Sequence, residues 1–573
     1  MDSTNWNLSA LYDTEQELET ASQEAFKRAL EFEKRYKGVL KKLSADEFYD
    51  GLKEYESISQ LLGRIMTYAF LKFAQDSNNG TFYAKYQNAY TNSSEHLLFF
   101  ELEFNTLPPN SQKRFIAASK KYAYFLDELT KAKAHQLSLK VESVILKKEQ
   151  TGSDAFARLF DEYFSVLKFG YKGKKLSEEE ILSLLHSPER STRKAAAAAF
   201  TKELKKHQHL LGFIYNMIRR DLKTECEIRK YKSAEEFRHK ENKISQKSVD
   251  ALVRTSEESF YIVHEYYEKK REILGYDELY DYDRYAPLSG ADEVFEYERS
   301  REIVLETFGA FSPVFADIAK KAFDEGWIDV YPKSSKRGGA FSHPATPDAH
   351  PYVLLNHTNQ RRDLFTLAHE LGHAVHQYLS KDVGFLLSDT PLTTAETASV
   401  FAEMLVFDEM KKTAGKEAKK AMLSSKLEDI FATLYRQINF TTYERAVHAK
   451  EDELTLGEFN KLWLEQSVKM FGKSVKLTSG YKIWWSYIPH FIHTPFYCYA
   501  YAYGQLLVLA LFGLYKSGAM SDFREKYIEF LSAGGSRSPK ELVALFGFDI
   551  EDEKFWRIGL DEIKKLVDEF KEL

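Results

Sequence analysis

The stretch Leu367-Ala-His-Glu-Leu-Gly-His-Ala-Val-His376 places His369 and His373 four residues apart with Glu370 between them. On an α-helix, side chains at i and i+4 share one face, so two imidazoles can converge on one divalent cation. Glu370, one position after the first histidine, points slightly round the helix, where it can reach a metal-activated water without itself becoming a ligand. Leu364, Phe365, Leu367, Leu371 and Val375 surround the histidines at helical spacing, as an amphipathic buried helix requires.

A catalytic zinc takes three protein ligands and keeps one position open, so a third ligand must come from elsewhere. Glu396 is the candidate, in Thr393-Thr-Ala-Glu-Thr-Ala-Ser-Val-Phe-Ala-Glu403, which reads as the start of a second helix with Thr393 or Thr394 as its N-cap. Spacing alone fits equally well an ordinary first-turn carboxylate favoured by the helix dipole. Glu403, seven residues on, shares its face and is either a solvated carboxylate or a hydrogen-bond acceptor for a ligating histidine. Gly384, in Ser380-Lys-Asp-Val-Gly384, is read as the C′ residue of the first helix, and Ser388-Asp-Thr-Pro391 as the turn into the second. His376, three residues after His373, is a further candidate metal ligand or supporting residue, though packing or hydrogen bonding beside the site accounts for it better. A His₂Glu set suits a hydrolytic zinc, whereas a structural zinc is more often held by cysteines, and none lies near.

The elements that must position these groups are mostly helices. Thirteen prolines and 27 glycines in 573 residues leave long stretches with apolar residues every three or four positions, so a mainly α fold is expected. Breaks fall at Ser44-Ala-Asp46, Asp76-Ser-Asn-Asn-Gly80, Leu107-Pro-Pro-Asn110 and Ser187-Pro-Glu189, with a strong helix opening at Ser191. A division into residues 1–190 and 191–573 is expected there. Immediately before the histidine helix, Gly338-Gly-Ala-Phe-Ser342 and Pro351-Tyr-Val-Leu-Leu-Asn356 read as short extended segments of a small sheet. An exposed sheet edge can hydrogen-bond an extended peptide, which makes Gly338, Gly339 and Ala340 candidate substrate contacts, and a purely structural hairpin fits the same segments. His343, His350 and His357 are read as surface or loop histidines.

Composition narrows the function classes. A net charge of −6 spread over 80 basic and 86 acidic residues gives no clustered basic footprint, so no nucleic-acid partner is expected. Cys226 and Cys498 alone do not make a disulfide framework. The first residues show no basic segment followed by an apolar core, and the longest apolar run, Leu506–Phe512, is too short to cross a bilayer. No membrane partner and a cytoplasmic location are therefore expected; the sequence sets no oligomeric state.

Near the carboxyl end, residues 484–504 crowd two histidines and five tyrosines. Hydroxyl and imidazole donors of this kind can stabilise the oxyanion of a tetrahedral intermediate. Tyr497 and Tyr501 are one helical turn apart, as are Tyr499 and Tyr503. An aromatic core stripe accounts for the same pattern equally well.

Several motifs in register resemble the oligoendopeptidase F family within the thimet oligopeptidase group of zinc peptidases. They are Trp6-Asn-Leu-Ser-Ala-Leu-Tyr12, His186-Ser-Pro-Glu-Arg-Ser-Thr-Arg193, Phe365–His376, Ala395-Glu-Thr-Ala-Ser399, Tyr435-Arg-Gln437 and Ile488-Pro-His-Phe491. The resemblance implies one zinc held by His369, His373 and Glu396, with Glu370 as catalytic base. It also implies a helical, two-lobed zincin-type oligopeptidase with a deep central channel. For the carboxyl-terminal cluster the chain departs from the family pattern by a two-residue spacing difference. His490 and Tyr497 are chosen as catalytic donors and Tyr501 as a substrate contact, with His493 and Tyr503 competing. The expected activity is hydrolysis of internal bonds in short unfolded peptides by Glu370-assisted attack of water. A zinc exopeptidase of related fold and a non-catalytic helical interaction protein are the rivals.

Overall fold

The structure, a computed structural model, describes residues 4–288 and 293–573. It is 73% helical with a few short strands, so the fold is mainly α. The chain forms two compact units, each assembled from three separate stretches. The first comprises residues 1–134, 292–412 and 520–547; the second comprises 135–291, 413–519 and 548–573. A linear border at residue 190 therefore follows chain order and not these units.

In the first unit, α1 (Glu15–Tyr36) starts at Thr14, whose hydroxyl accepts the Glu17 amide. Helix α2 (Ala45–Gln75) opens with a reciprocal Ser44–Glu47 capping box at the break read from the sequence. Phe48, Leu52, Ile58, Leu62 and Ile65 on α2 interdigitate with Leu18, Ala25, Ala29 and Phe32 on α1 in one apolar core. That core continues onto Tyr352 and Leu354, which ties the helices to a sheet.

The second unit contains a hairpin of β1 (Phe169–Tyr171) and β2 (Lys174–Leu176), and α3 (Arg190–Arg229), 40 residues long. The sheet of the first unit has three strands, β3 (Ile328–Asp329), β4 (Phe341–His343) and β5 (Tyr352–Leu354), in the order β3-β5-β4. Strand β5 runs parallel to β3 and antiparallel to β4, with Ser342 opposite Val353.

Strand β4 is thus an edge strand, shorter than the extended segment read from the sequence. Gly338 and Gly339 precede it as an exposed bend, followed by the partly buried Ala340; Gly339 takes φ +78°, a left-handed conformation that glycine adopts without strain. Asn356 holds the bend by donating to the carbonyls of Arg337 and Gly339. Of the three nearby histidines, His350 and His357 lie in loops as read from the sequence, while His343 belongs to β4; His343 and His350 are only partly exposed. His350 stacks on Trp327 at 4.6 Å, His357 is buried, and His343 packs 5.4 Å from Phe70 and is driven down to about 4 by burial.

Five further elements carry the residues of interest. They are α4 (Arg361–Ser380), α5 (Leu392–Ala395) and α6 (Thr397–Thr413) in the first unit, α7 (Tyr435–His448) and α8 (Cys498–Ser517) in the second. Helix α8 has the length and apolarity of a bilayer span, but 83% of that window is buried inside the protein, as in a core helix.

Candidate metal centre

Helix α4 begins where Asp363 accepts the amides of Thr358 and Gln360, closing the entry turn. Leu364, Leu367, Ala368, Leu371, Ala374 and Val375 are buried at three- and four-residue intervals, which fixes the rotation of the helix. His369 and His373 consequently share the half-buried flank, with ring centroids 4.8 Å apart. Glu370 lies beside them, only 7% exposed, and burial raises its pKa.

The chain then makes 3₁₀ turns at Lys381–Val383 and Phe385–Leu387. Gly384, at φ +92°, closes the first of these turns, so it caps the 3₁₀ extension and not α4 itself. Pro391, and neither Thr393 nor Thr394, stands at the N-cap of α5. The threonine hydroxyls instead bond back along the chain: Thr394 donates to the Pro391 carbonyl and Thr397 to that of Thr394. Glu396 occupies the break between α5 and α6, at φ −86° and ψ 5°.

That break delivers the third group. The Oε2 atom of Glu396 lies 3.4 Å from His369 Nε2 and 3.2 Å from His373 Nε2. The three donor atoms lie within 4.8 Å of one another. Ser399 donates to the same Oε2 at 2.7 Å and fixes the carboxylate's direction. Glu403 accepts from His369 Nδ1 at 2.5 Å. With Nδ1 so engaged, Nε2 is the nitrogen that faces Glu396, the side from which the imidazole can offer a lone pair to a metal ion.

The dimensions and chemistry fit a tetrahedral zinc. Ligand bonds of about 2.0–2.1 Å imply donor separations of about 3.3 Å, close to the 3.4 and 3.2 Å between Glu396 Oε2 and the two imidazole nitrogens. Burial lowers the pKa of His369, yet the bond to Glu403 and the charges of Glu403 and Glu396 outweigh it and raise the value to about 9. The site thus favours a cation. Burial likewise acts to raise Glu396, but His373 and His369 hold it at about 2. His376 is buried beside the cluster, held neutral by burial at about 3, and is not one of the three converging groups.

Two supports of this centre were not read from the sequence. Gly372 lets α4 and α6 meet backbone to backbone, since a Cβ there would lie 2.6 Å from the Ala398 carbonyl oxygen. Gly535 backs the loop between the two helices: its amide donates to the Leu387 carbonyl, and a Cβ would come within 2.0 Å of the Asp389 oxygen. A glycine inside His-Glu-Leu-Gly-His was the available signal for the first; nothing local signals the second. Replacing Glu403 by alanine is expected to weaken metal binding about 10–100-fold with the three converging groups intact, measured against a competing chelator.

The carboxyl-terminal cluster lies in the second unit. His490 Nε2 is 3.4 Å from the Tyr501 hydroxyl, and the Tyr497 and Tyr501 rings meet at 4.9 Å. His490 Nδ1 is buried without a hydrogen-bond partner. His493 instead bonds Asp161 at 2.8 Å. Tyr503 does not belong to the group: it is fully buried and packs edge-on against Trp556 at 4.8 Å, because α8 turns that face into the core. Tyr499 is likewise buried and is held by His239 and Asn242.

This is a helical metallopeptidase architecture, and comparison with known proteins agrees. Residues 183–562 match the profile of Peptidase family M3, and residues 103–169 match that of Oligopeptidase F. The chain belongs to Peptidase family M3 and is a metalloendopeptidase. It is 27% identical to oligopeptidase PepF of Bacillus subtilis, over 94% of this chain and 82% of that protein. It is 29% identical to the chromosomal oligoendopeptidase F of Lactococcus lactis subsp. cremoris, over 98% and 97%. In fold it resembles a solved protein from Chlamydophila abortus, with a TM-score of 0.91 and 21% identity over 100% and 98% of the two chains. It also resembles oligoendopeptidase-F from Enterococcus faecium, with a TM-score of 0.72 and 22% identity over 97% and 98%.

Proposed function

We propose that the chain is a zinc-dependent endopeptidase that cuts internal bonds of short unfolded peptides. The observation that carries this reading is the convergence of His369, His373 and Glu396 with a buried carboxylate, Glu370, on the same helix. One zinc per chain would be held by those three residues, and when bound it supplies Lewis acidity, acidifying water and polarising a carbonyl.

The remaining steps belong to the protein. Glu370 accepts a proton from the attacking water and passes it to the leaving amine, a task suited to a carboxylate whose pKa is raised by burial. Ser399 and Glu403 hold Glu396 and His369 in position. His490 and Tyr497 are the proposed donors to the substrate carbonyl, imidazole and phenol groups being suited to stabilise a developing oxyanion. Tyr501 and His493 are proposed as further substrate contacts. The segment Gly338-Gly339-Ala340 and edge strand β4 are the proposed rail for an extended peptide. Likeness to proteins named oligoendopeptidase F supports the short-peptide part.

The test is cleavage of an internally quenched peptide blocked at both ends. Turnover that is lost on chelation and restored by zinc supports the reading; an enzyme that cuts only peptides with a free terminus is an exopeptidase instead. His369→Ala is expected to lose the metal, seen as less than one zinc per chain by elemental analysis after dialysis.

A further inference from the structure

We infer that Arg436, in the second unit, binds a carboxylate of the peptide substrate, an inference that rests on the oligopeptidase reading. Arg436 is the central residue of Tyr435-Arg-Gln437, at the start of α7. Its guanidinium donates to the Tyr285 hydroxyl at 3.2 Å and to the Tyr487 hydroxyl at 2.8 Å, and it lies 5.1 Å from the Phe440 ring. Among the described residues it makes no ion pair.

The acids nearby are already engaged. Glu428 is taken by Lys270 and Tyr266, and Asp281 accepts both the amide and the hydroxyl of Thr478. A second guanidinium, Arg284, donates to the Asp281 carbonyl and packs among the rings of Tyr285, Phe471 and Tyr481. It too makes no ion pair among the described residues. Arg284 has the charge of buried Asp281 beside it, whereas Arg436 has only tyrosine hydroxyls as its hydrogen-bond partners, which is costly for a guanidinium unless an outside anion supplies the charge.

The remaining geometry says which anion. Arg436 stays partly exposed, and a guanidinium carries more donors than the two engaged here. Its planar fork matches a carboxylate. Tyr487, one of its two anchors, stands three residues before His490, whose imidazole is depressed by burial and then by the Arg436 charge. The cation therefore lies beside the group proposed to touch substrate. A peptide offers it two carboxylates, the terminal one and those of Asp or Glu side chains.

Binding can be measured without turnover in a Glu370→Gln background loaded with zinc. Three N-acetylated peptides of one sequence would be compared: a free acid, its amide, and an amide ending in Glu. A carboxylate peptide is expected to bind about tenfold tighter than the plain amide, and Arg436→Gln to erase that gap while leaving amide affinity within about twofold. Preference confined to the free acid identifies the terminal carboxylate; equal preference for the Glu-ended amide identifies the side chain. Arg436→Lys, which keeps the charge and loses the fork, is expected to retain only part of the gap, and serves if the Gln variant does not fold. Equal affinities for all three peptides, or a gap unchanged in the Arg436 variants, would overturn the inference. The endopeptidase reading stands or falls separately, on wild-type cleavage of the doubly blocked peptide.

Discussion

Glu370→Gln protein is expected to bind zinc as the wild type does and to hydrolyse peptide about a thousandfold more slowly, within the range that removal of a general base produces. Glutamine has the shape of glutamate, so the packing of α4 is retained. The three converging donors, His369, His373 and Glu396, do not include Glu370, so the metal should stay. What disappears is the capacity to take a proton from water. The buried position makes this a sensitive exchange, because at 7% exposure bulk solvent has little access to stand in for the missing base. The measurement is kcat on the doubly blocked peptide with zinc content determined on the same sample. A variant with full zinc and near-normal kcat would remove Glu370 from the base role; one with little zinc would make it a structural residue of the centre.

Gly372→Ala should damage the centre without touching a ligand. The added methyl would sit 2.6 Å from the Ala398 carbonyl oxygen and 2.6 Å from the Ser399 Cα. These are backbone atoms, which cannot swing aside as a side chain would, so α4 and α6 must separate. Helix propensity alone favours alanine over glycine by about 1 kcal/mol. Overpacking of this kind costs about 1–3 kcal/mol, and here the displaced backbone carries Glu396, Ser399 and Glu403 away from the histidines. The expected result is a lower melting temperature together with zinc affinity reduced at least about 100-fold, beyond the loss of a single supporting hydrogen bond. Unchanged zinc affinity would show that the contact between the helices is not what brings the carboxylates to the imidazoles.

The residues on α4 were legible because their chemistry is written in a local period: a four-residue spacing puts His369 and His373 on one face whatever surrounds the helix. Much of the helical layout was legible for the same reason, with breaks such as Ser44-Ala-Asp46 and Ser187-Pro-Glu189 marking where helices begin. Glu396 was harder. Its spacing from the histidines carries no information, because the direction of its carboxylate depends on a break in the helix at that residue and on a hydrogen bond from Ser399.

Other features came only with the tertiary structure. A row of tyrosines at helical spacing does not say which face meets solvent; packing sends Tyr499 and Tyr503 into the core and leaves Tyr501 exposed. The rings against which the three histidines around the sheet pack, Phe70, Tyr297 and Trp327, come from distant stretches of chain and could not be read locally. The two compact units draw each of their parts from distant stretches of chain, so no local change of composition could mark their border. The amino-acid sequence by itself determined the helices, the His-Glu-x-x-His face and the chemistry it can support, since these follow from short-range geometry. Which carboxylates close on that face, and which arginine is left without a counter-charge, only the tertiary structure decided, because both are set by contacts between residues far apart in the chain.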